Sequence, residues 1–133
     1  MSEYLFAYGT LQPGCAPASM AAIVAGLRRV GEGFVRGVLY DLGGYPGAVP
    51  DADAESRIFG TVMELPDDAE SLRGLDEYEG FDPKDPKASE FVRERLNVER
   101  AEGGAMECWF YRYNGLVSAT QVIASGVWRK SRE

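Results

Sequence analysis

A chain of 133 residues, 45% hydrophobic and 26% charged, is long enough to close a core without metals or disulfides, and it reads as one compact domain over residues 1–133. Its formal net charge of -7 argues against a nucleic-acid groove or an anionic membrane surface as the main partner, because both need clustered positive charge, and suits a small-molecule site better. The absence of histidine removes Ser-His and Cys-His nucleophiles and His-rich metal sites, leaving acid–base chemistry to a carboxylate, Lys, Tyr or Cys.

Met1-Ser2-Glu3 lacks the basic start of a signal peptide, and no stretch approaches a membrane span, so a cytoplasmic protein is expected. Tyr4 to Tyr8 is an unbroken apolar and aromatic run, predicted to be a short strand buried on both faces. Gly9-Thr10 ends it abruptly before Leu11. Glycine there permits positive φ or the close approach of another group, so the amides of Gly9, Thr10 and Leu11 form a candidate anion-binding loop, with an ordinary turn as the alternative. Gln12-Pro13-Gly14 continues the loop. Ala18 to Val24 predicts a short helix whose apolar residues join the core, with Ser19 near its start and Gly26 just past its end. Cys15 and Cys108 stand in no metal-type or redox-type spacing and are expected to be two reduced, unpaired thiols. No metal or cofactor is called for.

Arg28 to Leu42 carries apolar and aromatic residues punctuated by Gly31, Gly33 and Gly37, a pattern of strands that bend or bulge, as in a small barrel. Asp41 to Val49 is turn-rich, and its Tyr45, restricted by Pro46, either lines a cleft or covers the core. Asp51 to Arg57 is an exposed connection and Ile58 to Leu65 a strand. Pro66-Asp67-Asp68 starts a helix whose Ala69, Leu72 and Leu75 lay one apolar face on the core, and Gly80 stops it. Phe81 to Glu90 is a loop with Pro83 and Pro86, long enough to act as a rim or lid. Phe91 to Glu99 alternates, with Val92, Leu96 and Val98 opposite Arg93, Arg95, Asn97 and Glu99. Gly103-Gly104 turns it into the aromatic strand Met106 to Tyr113, the clearest hairpin in the chain. Val117 to Val127 crosses back over the core, and Arg129 to Glu133 is a polar tail.

Asp76, Glu77 and Glu79 are the conspicuous catalytic candidates, since carboxylates at a helix C-terminus are electrostatically unfavourable. Asp76 and Glu79 share the face that follows Leu72 and Leu75, whereas Glu77 points away. A carboxyl pushed toward apolar surroundings, near other negative charge, has the raised pKa that a general base needs. An acidic, solvated helix end is the alternative. Arg93 and Arg95 could neutralise a substrate carboxylate or pair with Glu79, Glu94 or Glu107.

Four segments occur in the order seen in the gamma-glutamylcyclotransferase-like family, which includes the gamma-glutamylamine cyclotransferases and the plant AIG-type proteins. They are Tyr8-Gly9-Thr10-Leu11, the run from Gly37 to Pro46, Leu75-Asp76-Glu77-Tyr78-Glu79-Gly80, and Phe91 to Val98. The chain resembles that family from Tyr4 to about Trp128. The resemblance implies an α+β fold, a small, mainly antiparallel barrel flanked by short helices, with a pocket at one end. It also implies that Tyr8, Gly9, Thr10 and Leu11 hold a glutamyl moiety through backbone amides and that Glu79 is the catalytic acid–base residue. Tyr45, the loop from Pro83 to Glu90 and the aromatic strand are expected to shape the space around the leaving group. Gln12 replaces a basic residue common in relatives, and Ser118-Ala119-Thr120-Gln121 lacks a tyrosine of the larger glutathione-pathway members, which argues against a dipeptide or glutathione-type substrate.

The expected activity is conversion of a gamma-glutamyl amide to 5-oxoproline and a free amine by attack of the substrate's own alpha-amino group. The alternatives are a non-catalytic module that binds a small carboxylate or gamma-glutamyl ligand, and a biosynthetic gamma-glutamyl-removing enzyme.

Overall fold

Six strands carry the apolar alternation into a single sheet: β1 (Tyr4–Ala7), β2 (Arg28–Asp41), β3 (Pro46–Pro50), β4 (Arg57–Glu64), β5 (Phe91–Arg100) and β6 (Ala105–Tyr113). The computed structural model describes residues 2–12 and 15–129; Pro13-Gly14 of the first loop and 130–133 of the polar tail lie outside the described residues. Strand order is β3-β2-β4-β1-β6-β5, and β5 returns to pair with β2 at Gly33↔Arg100 and Phe34↔Glu99. This return closes β2, β4, β1, β6 and β5 into a five-stranded barrel and leaves β3 outside, on the free side of β2. All the named strand pairings are antiparallel except β1 with β6, which is parallel at Leu5↔Trp109.

Alternation sorts the core into two layers. Phe6, Tyr8, Val35, Leu39, Ile58, Val62, Val98, Cys108 and Phe110 fill the barrel. On the outer face, Leu5, Ala7, Leu11, Met63, Leu65, Phe91 and Tyr111 meet Met20 and Leu75 from the helices. Both faces of β1 are therefore covered, which explains a strand sequence with no polar member. α1 (Ala21–Ala25) follows a 3-10 turn at Ala18–Met20, and α2 (Ala69–Glu79) supplies Leu75, which is fully buried. Truncating Leu75 to Ala should cost ~2–5 kcal/mol. The Asp68 side chain caps α2 by accepting from the Ser71 amide at 2.7 Å. Gly80 ends it in the left-handed region at φ 71°, which a β-substituted residue adopts only under strain.

Several expectations need correcting. The expected bulge is present as a register shift between Arg29 and Gly31, but Arg28–Asp41 is one 14-residue strand and Leu42 lies beyond it. Pro46–Pro50, expected within a turn-rich segment, is a paired strand. In the first helix only Met20 is buried; Ala21 and Ala22 are exposed and Ile23 and Val24 half-buried, because a helix this short can turn little of its surface inward. Ala69 is exposed too, since the helix axis brings only Leu72 and Leu75 down on the sheet. Val117 and Val122 stay exposed while Ile123 and Trp128 pack on the barrel core, so the last segment runs along the barrel rather than burying its whole apolar content.

Candidate active site

β1 delivers the first half of the site. Tyr8 continues into the barrel, where its ring stacks on Phe110 with centroids 5.2 Å apart. Its hydroxyl donates to the Tyr111 carbonyl at 2.7 Å and accepts from the Ala48 amide at 3.2 Å. Burial, with the Glu79 charge adding to it, pushes this phenol well above its ordinary range, so Tyr8 remains a neutral anchor. Gly9 follows because a Cβ there would lie 2.7 Å from Cγ of Pro46. Its φ is not positive, so of the two properties that glycine offers it is the missing side chain that is used.

The rest of the loop is tied down by side chains and carbonyls. Gln12 Nε2 donates to the Tyr8 carbonyl at 3.0 Å, the Gln12 amide donates to the Gly9 carbonyl at 3.0 Å, and Thr10 Oγ1 hydrogen-bonds the Tyr78 hydroxyl at 2.6 Å. The amides of Gly9, Thr10 and Leu11 donate to no acceptor among the described residues. All three residues line a cavity of about 350 Å³.

α2 delivers the second half. Tyr78 and Glu79, from its last turn, line the same cavity. Glu79 is half-buried and has no hydrogen-bond partner among the described residues. Its pKa is raised to about 8, first by burial and then by the charge of Glu90. Glu90 is held by its backbone: its amide donates to the Gly80 carbonyl at 3.2 Å, and its carbonyl accepts from the Asn114 amide at 2.9 Å. Tyr45, 39% exposed at the mouth, donates its hydroxyl to Glu90 Oε2 at 2.5 Å, and this bond is the first cause that pushes the Tyr45 phenol up to about 12.

Asp76, one turn before Glu79, is committed elsewhere. Arg93 donates to both its oxygens, from Nε at 2.8 Å and Nη2 at 3.2 Å, and the Tyr111 hydroxyl donates to Oδ1 at 2.7 Å. The Arg93 guanidinium also lies 4.2 Å from the Trp109 ring centroid. Arg93 therefore pairs with none of Glu79, Glu94 and Glu107. Arg95 does pair with Glu107, and also with Glu3. Neither arginine lines the cavity, and among the described residues no lysine or arginine does.

The structure thus gathers Tyr8, Gly9, Thr10, Leu11, Tyr45 and Glu79 around one space. Asp76 and Glu77 are not part of it; Glu77 is exposed. Of the loop before β5, only Glu90 reaches the cavity, and of the aromatic strand only Tyr111. Sequence reasoning missed Tyr78 as a lining residue, and reached Glu90 and Tyr111 only as members of the Pro83 to Glu90 loop and the aromatic strand. Tyr78 carried a readable signal, since it adjoins Glu79 at the helix end. No group of three or more Cys, Asp or Glu side chains among the described residues is arranged to hold a metal ion.

No helix among the described residues is long and apolar enough to cross a membrane. No curated protein matches the sequence significantly. The chain is similar in structure to YkqA from Bacillus subtilis, with 23% identity and a TM-score of 0.70 over 96% of this chain and 40% of that one. It therefore spans less than half of YkqA. An AIG2-like protein from Mus musculus is similar over 96% of this chain and 88% of that one, at 20% identity and a TM-score of 0.73. A structure described as gamma-glutamyl cyclotransferase matches at 17% identity and a TM-score of 0.61, over 85% of this chain and 67% of that one. At these identities the likeness is one of fold: a closed barrel with an outer strand and two short helices. The family model for gamma-glutamyl cyclotransferase, AIG2-like, matches residues 5–130, and the chain belongs to that family.

Proposed function

We propose that this protein is a cyclotransferase of the gamma-glutamylamine type, converting a gamma-glutamyl amide to 5-oxoproline and a free amine, with Glu79 as general base and then general acid. One observation carries the reading: Gly9, Thr10 and Leu11, whose backbone amides have no acceptor among the described residues, line the same cavity as Glu79, whose carboxyl is raised to a pKa of about 8. Amides at Gly9, Thr10 and Leu11 suit the alpha-carboxylate of a glutamyl head. Glu79, repelled by Glu90 and given no cation by the described residues, suits its alpha-ammonium, whose arrival would draw Glu79 back toward ionisation.

The chemistry then needs no protein nucleophile. Ionised Glu79 takes a proton from the alpha-ammonium, and the freed amine attacks the gamma-carbonyl carbon, forming the new C–N bond of a five-membered ring. As the tetrahedral intermediate collapses, Glu79 returns the proton to the departing nitrogen and the amide C–N bond breaks; Glu79 then takes the second proton from the ring nitrogen and passes it to the released amine, which leaves as an ammonium beside the neutral lactam of 5-oxoproline. Holding the substrate folded can contribute ~7–11 kcal/mol in well-oriented cases. The proton transfers are typically worth ~10²–10⁴-fold.

Purified protein incubated with gamma-glutamyl amines should release 5-oxoproline, and Glu79→Gln should lose ~10²–10⁴ in kcat. Full activity in that variant overturns the role of Glu79, and ligand binding without turnover in the wild type favours a binding module. The kcat/KM of the wild type should rise as pH passes through about 8, the pKa of the free base. The phenols of Tyr8, Tyr45 and Tyr111, which line the cavity, are all pushed upward and stay neutral across that range.

A further inference from the structure

The proton transfers proposed above leave one end of the cavity unused. Depth orders its polar groups: Gly9 and Leu11 are buried and Thr10 and Glu79 half-buried, while Glu90 and Tyr45 stand exposed at the mouth. Glu90 therefore lies on the open side of the cavity, the side left to a leaving group when a glutamyl head occupies the buried loop and Glu79.

Glu90 is a prepared acceptor rather than a loose surface carboxylate. Its backbone is bonded on both sides, to Gly80 and to Asn114, and the Tyr45 hydroxyl fixes Oε2. Oε1 has no hydrogen-bond partner among the described residues. The exposed Tyr45 ring, its centroid 6.4 Å from that of the buried Phe91, adds aromatic surface to the cavity wall that suits an alkyl chain or an ammonium group. Among the described residues no basic side chain lines the cavity, and Arg93 and Arg95 are occupied, Arg93 by Asp76 and Arg95 by Glu3 and Glu107. A leaving group with a carboxylate, such as an amino acid or peptide, meets only like charge there.

We infer that the leaving group keeps a positive charge beyond its amide nitrogen and that Glu90, positioned by Tyr45, receives it, so the substrates are gamma-glutamyl amides of diamines or larger polycationic amines. This rests on the cyclotransferase reading and narrows it to a substrate class.

Three probes of similar length test it: the mono-gamma-glutamyl amides of 1,4-diaminobutane, of n-pentylamine and of 4-aminobutanoate, which end in an ammonium, a methyl and a carboxylate. In the wild type, kcat/KM should favour the ammonium over the methyl probe by about tenfold, the scale of one hydrogen bond to a charged group, with the carboxylate probe slowest. Glu90→Gln should bring the ammonium-to-methyl ratio close to one. Because both probes share Glu79, their ratio cancels any change in its ionisation. Equal kcat/KM for the two probes in the wild type overturns the inference even if the variant folds poorly. Equal losses on both probes in Glu90→Gln assign Glu90 to the alpha-ammonium and overturn it too. If none of the probes yields 5-oxoproline, the cyclotransferase reading fails by itself; calorimetric binding of the same probes then reads the charge preference, and its absence overturns this inference as well.

Discussion

The last turn of α2 faces two environments, and a carboxylate stands in each. Asp76 meets Arg93 and Tyr111, with side-chain exposures of 9% for Asp76 and 15% for Arg93. Glu79, one turn later, meets a cavity wall, no donor and the like charge of Glu90. The two residues differ by one methylene and share a helix face, so chemistry of the side chain cannot separate them. What separates them is whether the fold supplies a partner. Asp76 is satisfied and holds the hairpin to the helix; Glu79 carries an electrostatic cost that a bound cation would relieve.

Exchanging each acid for its amide should split the two roles most widely. Asp76→Asn leaves Arg93 without its anion in a nearly buried position and should cost ~3–5 kcal/mol, read as a lower denaturant midpoint, with activity lost only as far as the fold is. Glu79→Gln should do the reverse. A carboxyl with a folded pKa near 8, above its ordinary 4.5, penalises the fold as pH rises between those values, and fully above 8. The variant should therefore gain a few kcal/mol over wild type at pH 9 and nothing at pH 4, measured by urea unfolding. Equal stability at both pH values would place Glu79 in a solvated setting and end the contrast with Asp76.

A smaller effect sharpens the loop side of the site. Gly9→Ala forces a Cβ against Pro46 at 2.7 Å and should cost ~1–3 kcal/mol while raising KM more than it lowers kcat, because the loop amides move and Glu79 does not. The smallest is the control on the other arginine. Arg95 pairs with two exposed carboxylates, so Arg95→Ala should change stability by less than ~1 kcal/mol. A larger loss would show that its stacking on Trp109, 4.2 Å from the ring centroid, matters more than its charge pairs.

Local sequence grammar made β1, α2 and the β5–β6 hairpin legible, because burial on two faces, a capped amphipathic helix and a Gly-Gly turn each leave a short-range signature. β3 escaped it for a physical reason. A strand outside the barrel bonds along one side only and tolerates prolines at both ends, so Pro46 and Pro50 read as turn residues while serving as an edge. The partner of Arg93 escaped because cross-strand rules look along the sheet, and Asp76 comes from the helix above it. Glu90 escaped because its importance depends on Tyr45, 45 positions away, and on a helix end that bonds its backbone.

β1 has one further consequence, for the timing of synthesis. Tyr8 leaves the ribosome well before its partner, because its hydroxyl is fixed by a carbonyl 103 positions later, at Tyr111. A nascent chain that has made β1, β4 and α2 already contains Gly9, Thr10, Leu11 and Glu79, but β1 has then only one of its two flanking strands. The apolar run from Tyr4 to Tyr8 must wait, half-covered, for the hairpin that completes it. Contacts of such long range slow folding, so catalytic competence should appear only once β6 has emerged, and a chain stalled before Trp109 should be both inert and prone to aggregate.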